Sequence, residues 1–402
     1  LICSVIFLLY NTLNSSMKKG LIALSFGALA LGIAEFAMMG ILGSVAKSLQ
    51  ITISEAGHLI SAYALGVCIG APILLLVRKY PLKRILLLLA AFILVGNLCA
   101  AVAPNYWTLM AARFLSGFPH GAYFGVASIV AQRLVAKGKG SQAVSIVLAG
   151  MTISTVIGVP LGTALSTLFS WRLTFLLVAC WSMVTLYGIQ YWIPRIEQLP
   201  DSGFKGQFRF LKSPAPWLIV GGTLLGNGGV YCWYSYIDPL LTYVSGFAPE
   251  NLTWLMVVAG CGMVIGNLLG GRLADKFQAG LVAAIVQSCM VVTLLLIYFF
   301  SPIPWMSVTL MIIGTAGLFG VGSPLQYLII RFSKGGEMLG AASIQMAFNV
   351  GSAIAAYLGG LVLQGNSDYR YPALVGIPLA LLGSILLFTL HYKYERKLKS
   401  DL

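Results

Sequence analysis

Gly66-Val67-Cys68-Ile69-Gly70 and Gly262-Met263-Val264-Ile265-Gly266 stand in opposite halves of the chain, and reading them together decides the fold. Each lies inside a long apolar run. A basic loop follows each one, with Arg78, Lys79, Lys83 and Arg84 after the first and Arg272 and Lys276 after the second. Glycines one turn apart let helix backbones approach closely in a bilayer, so packing alone accounts for the glycines. The recurrence of the whole pattern speaks for an internal repeat. Gly158 and Gly351 recur in the same manner, and two like halves in a membrane are a transporter architecture.

Working outward, apolar runs between polar breaks mark twelve candidate spans. They lie at 20–46, 54–77, 82–103, 105–134, 141–165, 171–193, 214–245, 250–273, 279–300, 303–331, 337–363 and 369–392. The longest interruption, 194–213, carries Arg195, Glu197, Asp201, Lys205, Arg209 and Lys212. The expectation is an all-α membrane protein with 12 transmembrane helices in two pseudo-symmetric six-helix halves. These are 17–193 and 214–392, joined by a cytoplasmic linker, 194–213, and followed by a cytoplasmic tail, 393–402. Residues 1–16 hold only a short apolar patch, Ile2 to Tyr10, against the roughly 20 residues a span needs. They also lack a basic leader region. Met17-Lys18-Lys19 opening a long apolar run resembles a bacterial inner-membrane start, so 1–16 is expected to be a non-native or disordered extension; an interfacial segment is the competing reading.

Composition fits the same picture. Of 402 residues, 59% are hydrophobic and only 9% charged, where a soluble domain carries about 25% charged residues. That excludes a soluble enzyme, a secreted disulfide scaffold and a nucleic-acid binder. The net charge of +14 follows from placement. With the N-terminus inside, nearly all Lys and Arg fall in cytoplasmic segments, and only Lys47, Arg172 and Arg370 fall outside. Both termini are therefore expected in the cytoplasm of a bacterium, with the chain multi-pass in its inner membrane. The seven Cys stand singly in apolar runs and read as small hydrophobes. Three His without a His/Cys cluster suggest no metal site. No GxxxxGK[ST] phosphate loop, HExxH or GxSxG is present, so no nucleotide engine or cofactor is expected. A polytopic membrane enzyme would need clustered Asp, His or Ser at an interface, and no such cluster is visible.

Several motifs add a resemblance. They are Ala34-Glu35-Phe36, Tyr63-Ala64-Leu65-Gly66 with Gly70-Ala71-Pro72, Arg113-Phe114-Leu115-Ser116-Gly117-Phe118-Pro119-His120-Gly121, Gly158-Val159-Pro160-Leu161-Gly162, and Ser213-Pro214-Ala215-Pro216-Trp217. On these, from about Met17 to the tail, the chain resembles major facilitator superfamily transporters of the 12-span drug/proton antiporter type, and within them the arabinose-inducible branch. The resemblance implies alternating access and proton-coupled efflux of a sugar, arabinose or a related compound, with one pathway per monomer. A multidrug/proton antiporter is the alternative. It also implies gating roles for Arg78, Lys79, Lys83 and Arg84, for Gly271, Asp275 and Lys276, and for Gly158 and Pro160. Two departures stand out. The first-half loop lacks the Asp that Asp275 supplies in the second, which implies a weaker first gate. Val159 separates Gly158 from Pro160, so the antiporter kink is degenerate.

Two charges lie deep in the spans. At 1.5 Å per residue, Glu35 lies roughly 22 Å along the first span and Arg113 about 12 Å below the outer face. The depths agree within about one turn, so an ion pair is geometrically open to them. Charges at this depth cost at least about 2.5–3.5 kcal/mol and are usually functional or paired. Glu35 is expected to be the proton-coupling carboxylate and Arg113 the group that tunes it, burial and the neighbouring cation pulling in opposite directions. A static pair that fixes helix register is the alternative. His120 is a titrating cavity residue or a packing histidine. Candidate substrate contacts are Tyr63 in span two, Asn227, Tyr231 and Tyr234 in span seven, Gln326 in span ten, and Gln345 and Asn349 in span eleven. Asn227, Tyr231, Tyr234 and Asp238 recur at helical spacing. Such a face would suit a sugar or a drug-like molecule, with interhelical glue as the plainer reading for the amides.

Overall fold

A computed structural model describes residues 15–51, 53–200, 203–248, 251–364 and 368–396. The expectation for residues 1–16 therefore falls almost wholly outside the described residues, as do 397–402 of the tail. The first helix runs Ser15–Leu49. Among the described residues, eleven helical stretches are long and apolar enough to cross a membrane. The twelfth expected span, the seventh in the chain, is present as pieces: Pro214–Gly222, Gly228–Tyr234, Ile237–Pro239 and Leu240–Val244.

The chain divides into two compact units. The first holds the residues up to Phe210 together with Ser333–Met346, and the second holds Leu211–Phe332 and Ala347 onward. In the first unit, Met38, Ile41, Val45, Leu59, Leu109, Trp171 and Phe175 form an apolar cluster. In the second, Val230, Trp233, Leu255, Met290, Leu294, Leu310 and Ala380 do the same.

The repeat seen in sequence has a physical counterpart. A Cβ on Gly66 or Gly70 would run into the Phe114 and Phe118 carbonyls of span four, so spans two and four touch backbone to backbone. A Cβ on Gly262 would lie 2.8 Å from the Ile312 carbonyl, and one on Gly266 would collide with the Ala316 carbonyl, both in span ten. Span two stands to span four as span eight stands to span ten. No other residue type admits such approach.

Prolines shape the remaining irregularities. Span four bends where Phe118 and Pro119 separate Tyr106–Gly117 from His120–Arg133. In span five, the helix Gly140–Ile153 widens into a turn at Ser154–Gly158, where the Val159 N–H donates to the Ser154 carbonyl five residues back. Pro160, two residues on, has no N–H for the ordinary ladder, so the turn widens at the degenerate Gly-Val-Pro motif. A second wide turn, Thr223–Asn227, interrupts span seven. Span seven then breaks at Ser235 and Tyr236. The helical spacing that groups Asp238 with Asn227, Tyr231 and Tyr234 therefore does not hold. Asp238 is exposed, and the Thr242 hydroxyl donates to it at 3.3 Å.

Candidate functional site

Unit one gathers four of the expected residues at one place. Glu35 comes from span one, Tyr63 from span two, and Arg113 and His120 from span four, two turns apart and so on one face of the helix. Arg113, Tyr63 and His120 are buried. The Arg113 guanidinium lies 4.5 Å above the centre of the Tyr63 ring and donates to the Ala34 carbonyl at 2.7 Å and the Leu59 carbonyl at 3.4 Å. The Tyr63 hydroxyl lies 2.9 Å from His120 Nδ1 and 3.4 Å from the Leu31 carbonyl. His120 Nε2 in turn faces Glu35 Oε2 at 3.8 Å. The carboxylate expected beside Arg113 thus has His120 as its ion-pair neighbour, while Arg113 spends its hydrogen bonds on span-one and span-two carbonyls.

This arrangement follows from local structure. The glycine contacts of spans two and four bring Tyr63 against His120 and Arg113, and a Cβ on Gly117 would collide with the Tyr63 carbonyl. Three buried polar atoms of this cluster have no hydrogen-bond partner: Glu35 Oε2, His120 Nε2 and Arg113 Nη2. Burying such atoms unpaired costs about 1–3 kcal/mol each, more when charged. A cluster held together at that cost is chemically poised to take up or release a proton.

The remaining candidates distribute as follows. Gln345 belongs to unit one, where its Cβ lies 3.6 Å from the position a Cβ on Gly121 would take. In unit two, Asn227 is buried at the wide turn; its Nδ2 donates to the Leu318 carbonyl at 3.2 Å and its Oδ1 is unpaired. Tyr231 and Tyr234 are half-buried and meet edge to face at 6.0 Å. Gln326 is buried and Asn349 half-buried. Among the gating residues, Lys83 Nζ donates to the Gln190 and Ile193 carbonyls at 2.6 and 2.7 Å, capping the helix Trp171–Trp192. Arg78 donates to the Leu75 carbonyl at 2.6 Å, and Lys79 and Arg84 are exposed. Gly271, Asp275 and Lys276 all lie within the helix Leu252–Phe277.

One cluster escaped the sequence reading. His391 is buried, with Nδ1 2.9 Å from Glu395 Oε2. The Glu395 carboxylate accepts the Gly280 N–H at 2.9 and 3.0 Å and so caps the first turn of the helix Ala279–Phe300. Their four-residue separation at the end of an apolar span was the available signal. Between spans eleven and twelve, Arg370 forks onto Asp368 at 2.6 to 3.0 Å. That contact holds the Asp368 carboxyl below its ordinary range.

Comparison with known proteins bears on this geometry. The Major Facilitator Superfamily model matches residues 24–344. The chain is 42% identical to "Putative transporter AraJ" of Escherichia coli (strain K12), over 96% of this chain and 98% of that one. It is 26% identical to "Probable sugar efflux transporter" of Helicobacter pylori (strain ATCC 700392 / 26695), over 92% and 95%. Among solved structures, the E. coli fucose:proton symporter FucP superposes with a TM-score of 0.75 at 15% identity, covering 92% of this chain and 98% of that one.

Proposed function

Because the chain belongs to the Major Facilitator Superfamily and is thus a multi-pass membrane transporter rather than an enzyme, we propose that it couples proton movement to the export of a sugar. Arabinose or a related compound is the first candidate, carried by alternating access across the bacterial inner membrane, with both termini in the cytoplasm and the monomer as the working unit. The observation that carries the reading is the buried Glu35–His120–Tyr63–Arg113 cluster, which holds an unpaired carboxylate oxygen and an unpaired imidazole nitrogen 3.8 Å apart. Ionisable groups at this depth mark functional sites by default, proton relays among them. The names of the relatives point the same way: one is named "Probable sugar efflux transporter", and a protein of the same fold is named a fucose:proton symporter.

In this reading Glu35 and His120 take the proton, and Arg113 holds a fixed positive charge nearby. Within unit two, Asn227, Tyr231, Tyr234, Gln326 and Asn349 contact the substrate through amide and hydroxyl hydrogen bonds and ring faces. Within unit one, Tyr63 and Gln345 are the corresponding candidates. The cations of the two basic loops, with Asp275, act in gating, as do Gly158 and Pro160 at the wide turn.

The test is substrate-driven proton movement in proteoliposomes, read with a trapped pH dye across a sugar panel led by arabinose. A signal in wild type that disappears in Glu35→Gln supports the proposal. Sugar flux with no proton movement, unchanged in the variant, overturns the coupling and makes the protein a facilitator. Silence with every sugar and a signal with cationic drugs would make it a drug antiporter.

A further inference from the structure

The Tyr63 hydroxyl has one proton and two neighbours, and the arithmetic of that proton leads beyond the coupling carboxylate. The Leu31 carbonyl at 3.4 Å can only accept. His120 Nδ1 at 2.9 Å donates or accepts according to its own protonation. The hydroxyl therefore donates to one of them at a time. When it donates to Nδ1, the imidazole is neutral with its hydrogen on Nε2, aimed at the Glu35 carboxylate. When it donates to Leu31, Nδ1 must carry a hydrogen and donate to the Tyr63 oxygen. Nε2 and Glu35 Oε2 then face each other across 3.8 Å with no other hydrogen-bond partner. Two lone pairs do not stay so placed in a buried site without a proton between them.

We propose that the Tyr63 hydroxyl is a positioning switch that turns from His120 to the Leu31 carbonyl when the Glu35–His120 pair takes up its proton. The balance is one proton in and none lost. Before uptake the cluster holds a Glu35 carboxylate, a neutral His120 and a tyrosine bonded to it. After uptake both imidazole nitrogens carry hydrogen, the imidazolium faces the Glu35 carboxylate at 3.8 Å, and the tyrosine hydrogen has rotated onto span one. Leu31 is four residues before Glu35, so the new bond ties span two to the helical turn that carries the carboxylate. Proton occupancy thus becomes a change in which helix Tyr63 is bonded to. This deepens the proton-coupled reading above and rests on it.

The groups facing His120 fit the idea. Span one supplies Glu35, and span two supplies Tyr63. Span four itself supplies Arg113, which lies across the Tyr63 ring, and the Phe124 ring at 5.1 Å. The segment 333–346 brings the neutral Gln345 beside Gly121, the next residue in the helix. Tyr123 is engaged with the Leu24 carbonyl at 3.0 Å. No second carboxylate stands beside the imidazole among the described residues that face it.

The experiment is nitrogen NMR of the full-length protein labelled with 15N-histidine, in nanodiscs. The chain has three histidines, and the His120 signal is the one that disappears in His120→Asn. On raising the pH, the wild-type His120 is expected to pass from a protonated Nδ1 to the neutral form with hydrogen on Nε2. Tyr63→Phe keeps the ring beneath Arg113 and deletes only the hydroxyl. It leaves the protonated Nδ1 without an acceptor, so the midpoint should move to lower pH by about one unit, a tenfold change in proton affinity. The transport pH profile should move with it in the same direction. A His120 whose Nδ1 stays unprotonated across the range in wild type overturns the switch, even where the proteoliposome assay shows proton-linked flux. An unmoved midpoint in Tyr63→Phe also overturns it. Conversely, the tautomer change in a protein that moves sugar without protons would leave the switch standing and remove only the coupling.

Discussion

The two units repeat one backbone plan and fill it with different chemistry. In unit one the polar groups at mid-span include the buried Arg113 and His120, joined through Tyr63, and the half-buried Glu35 beside His120. At the interior of unit two the buried polar groups are neutral, among them Asn227, Asn267, Gln287, Thr315 and Gln326. Its buried ionisable pair, His391 and Glu395, sits at the far end of span twelve. The glycine contacts that set the helix spacing are the same in kind on both sides. Backbone approach is thus a property of the repeat, whereas charge is a property of one half. Amides hold their hydrogen bonds at any pH, so under the proposed function unit one would respond to protons and unit two would offer pH-independent contacts.

The sharpest way to break that comparison is to neutralise unit one alone. Glu35→Gln is expected to reduce proton-linked flux by about a hundredfold or more, on the scale of removing a positioned proton-transfer group. If an equivalent loss followed from Gln326→Leu, the asymmetry between the units would be gone. The backbone half of the comparison calls for Gly70→Leu and Gly266→Leu. Each forces a side chain into a facing carbonyl, and each should cost about 1–3 kcal/mol or more, read as a lower melting temperature in detergent. The two losses should be similar in size, and a loss confined to one unit would end the claim of a shared plan.

Smaller effects sharpen the picture. Asn227→Ala removes the hydrogen bond to Leu318 and a candidate sugar contact, worth about 1 kcal/mol. It should raise the KM for substrate several-fold and leave the pH profile in place. Glu395→Gln removes the charge from the cap on Gly280 and should cost about 1 kcal/mol of thermal stability, with transport at low temperature unchanged. The smallest effect belongs to Asp368. Arg370 holds its carboxyl below the ordinary value, so its contribution is present above the ordinary carboxylate range and lost as the pH falls through the lowered value. Melting curves of wild type and Asp368→Asn should therefore converge toward acid and differ slightly at neutral pH.

The spans were legible because bilayer length and composition leave few alternatives. The repeat was legible because close helix approach demands glycine. Glu35 and Arg113 were legible by depth, since a charge inside an apolar run stands out. Their partners were not, because depth along a helix says nothing of azimuth; that Tyr63 rather than Glu35 lies beneath Arg113 is set by how spans two and four cross. The break at Ser235 and Tyr236 lies just ahead of Pro239, which has no N–H to offer the Ser235 carbonyl four residues back; the helical spacing read from Asn227 to Asp238 runs across that proline. Glu395 was hidden because its carboxylate is hydrogen-bonded by a backbone N–H and a histidine, both invisible to hydropathy, which assigns it to a polar tail.

The wide turns at Ser154–Gly158 and Thr223–Asn227 have a consequence for how this chain can change over time. Each accommodates one residue more than a regular helix needs, and a residue added or lost rotates everything beyond it by about 100° about the helix axis. A single deletion in the second turn would leave length, composition and hydropathy nearly untouched, yet swing Tyr231 and Tyr234 onto another face. Point substitutions explore the chemistry of these spans, whereas insertions and deletions at the wide turns would exchange which side of the helix carries it.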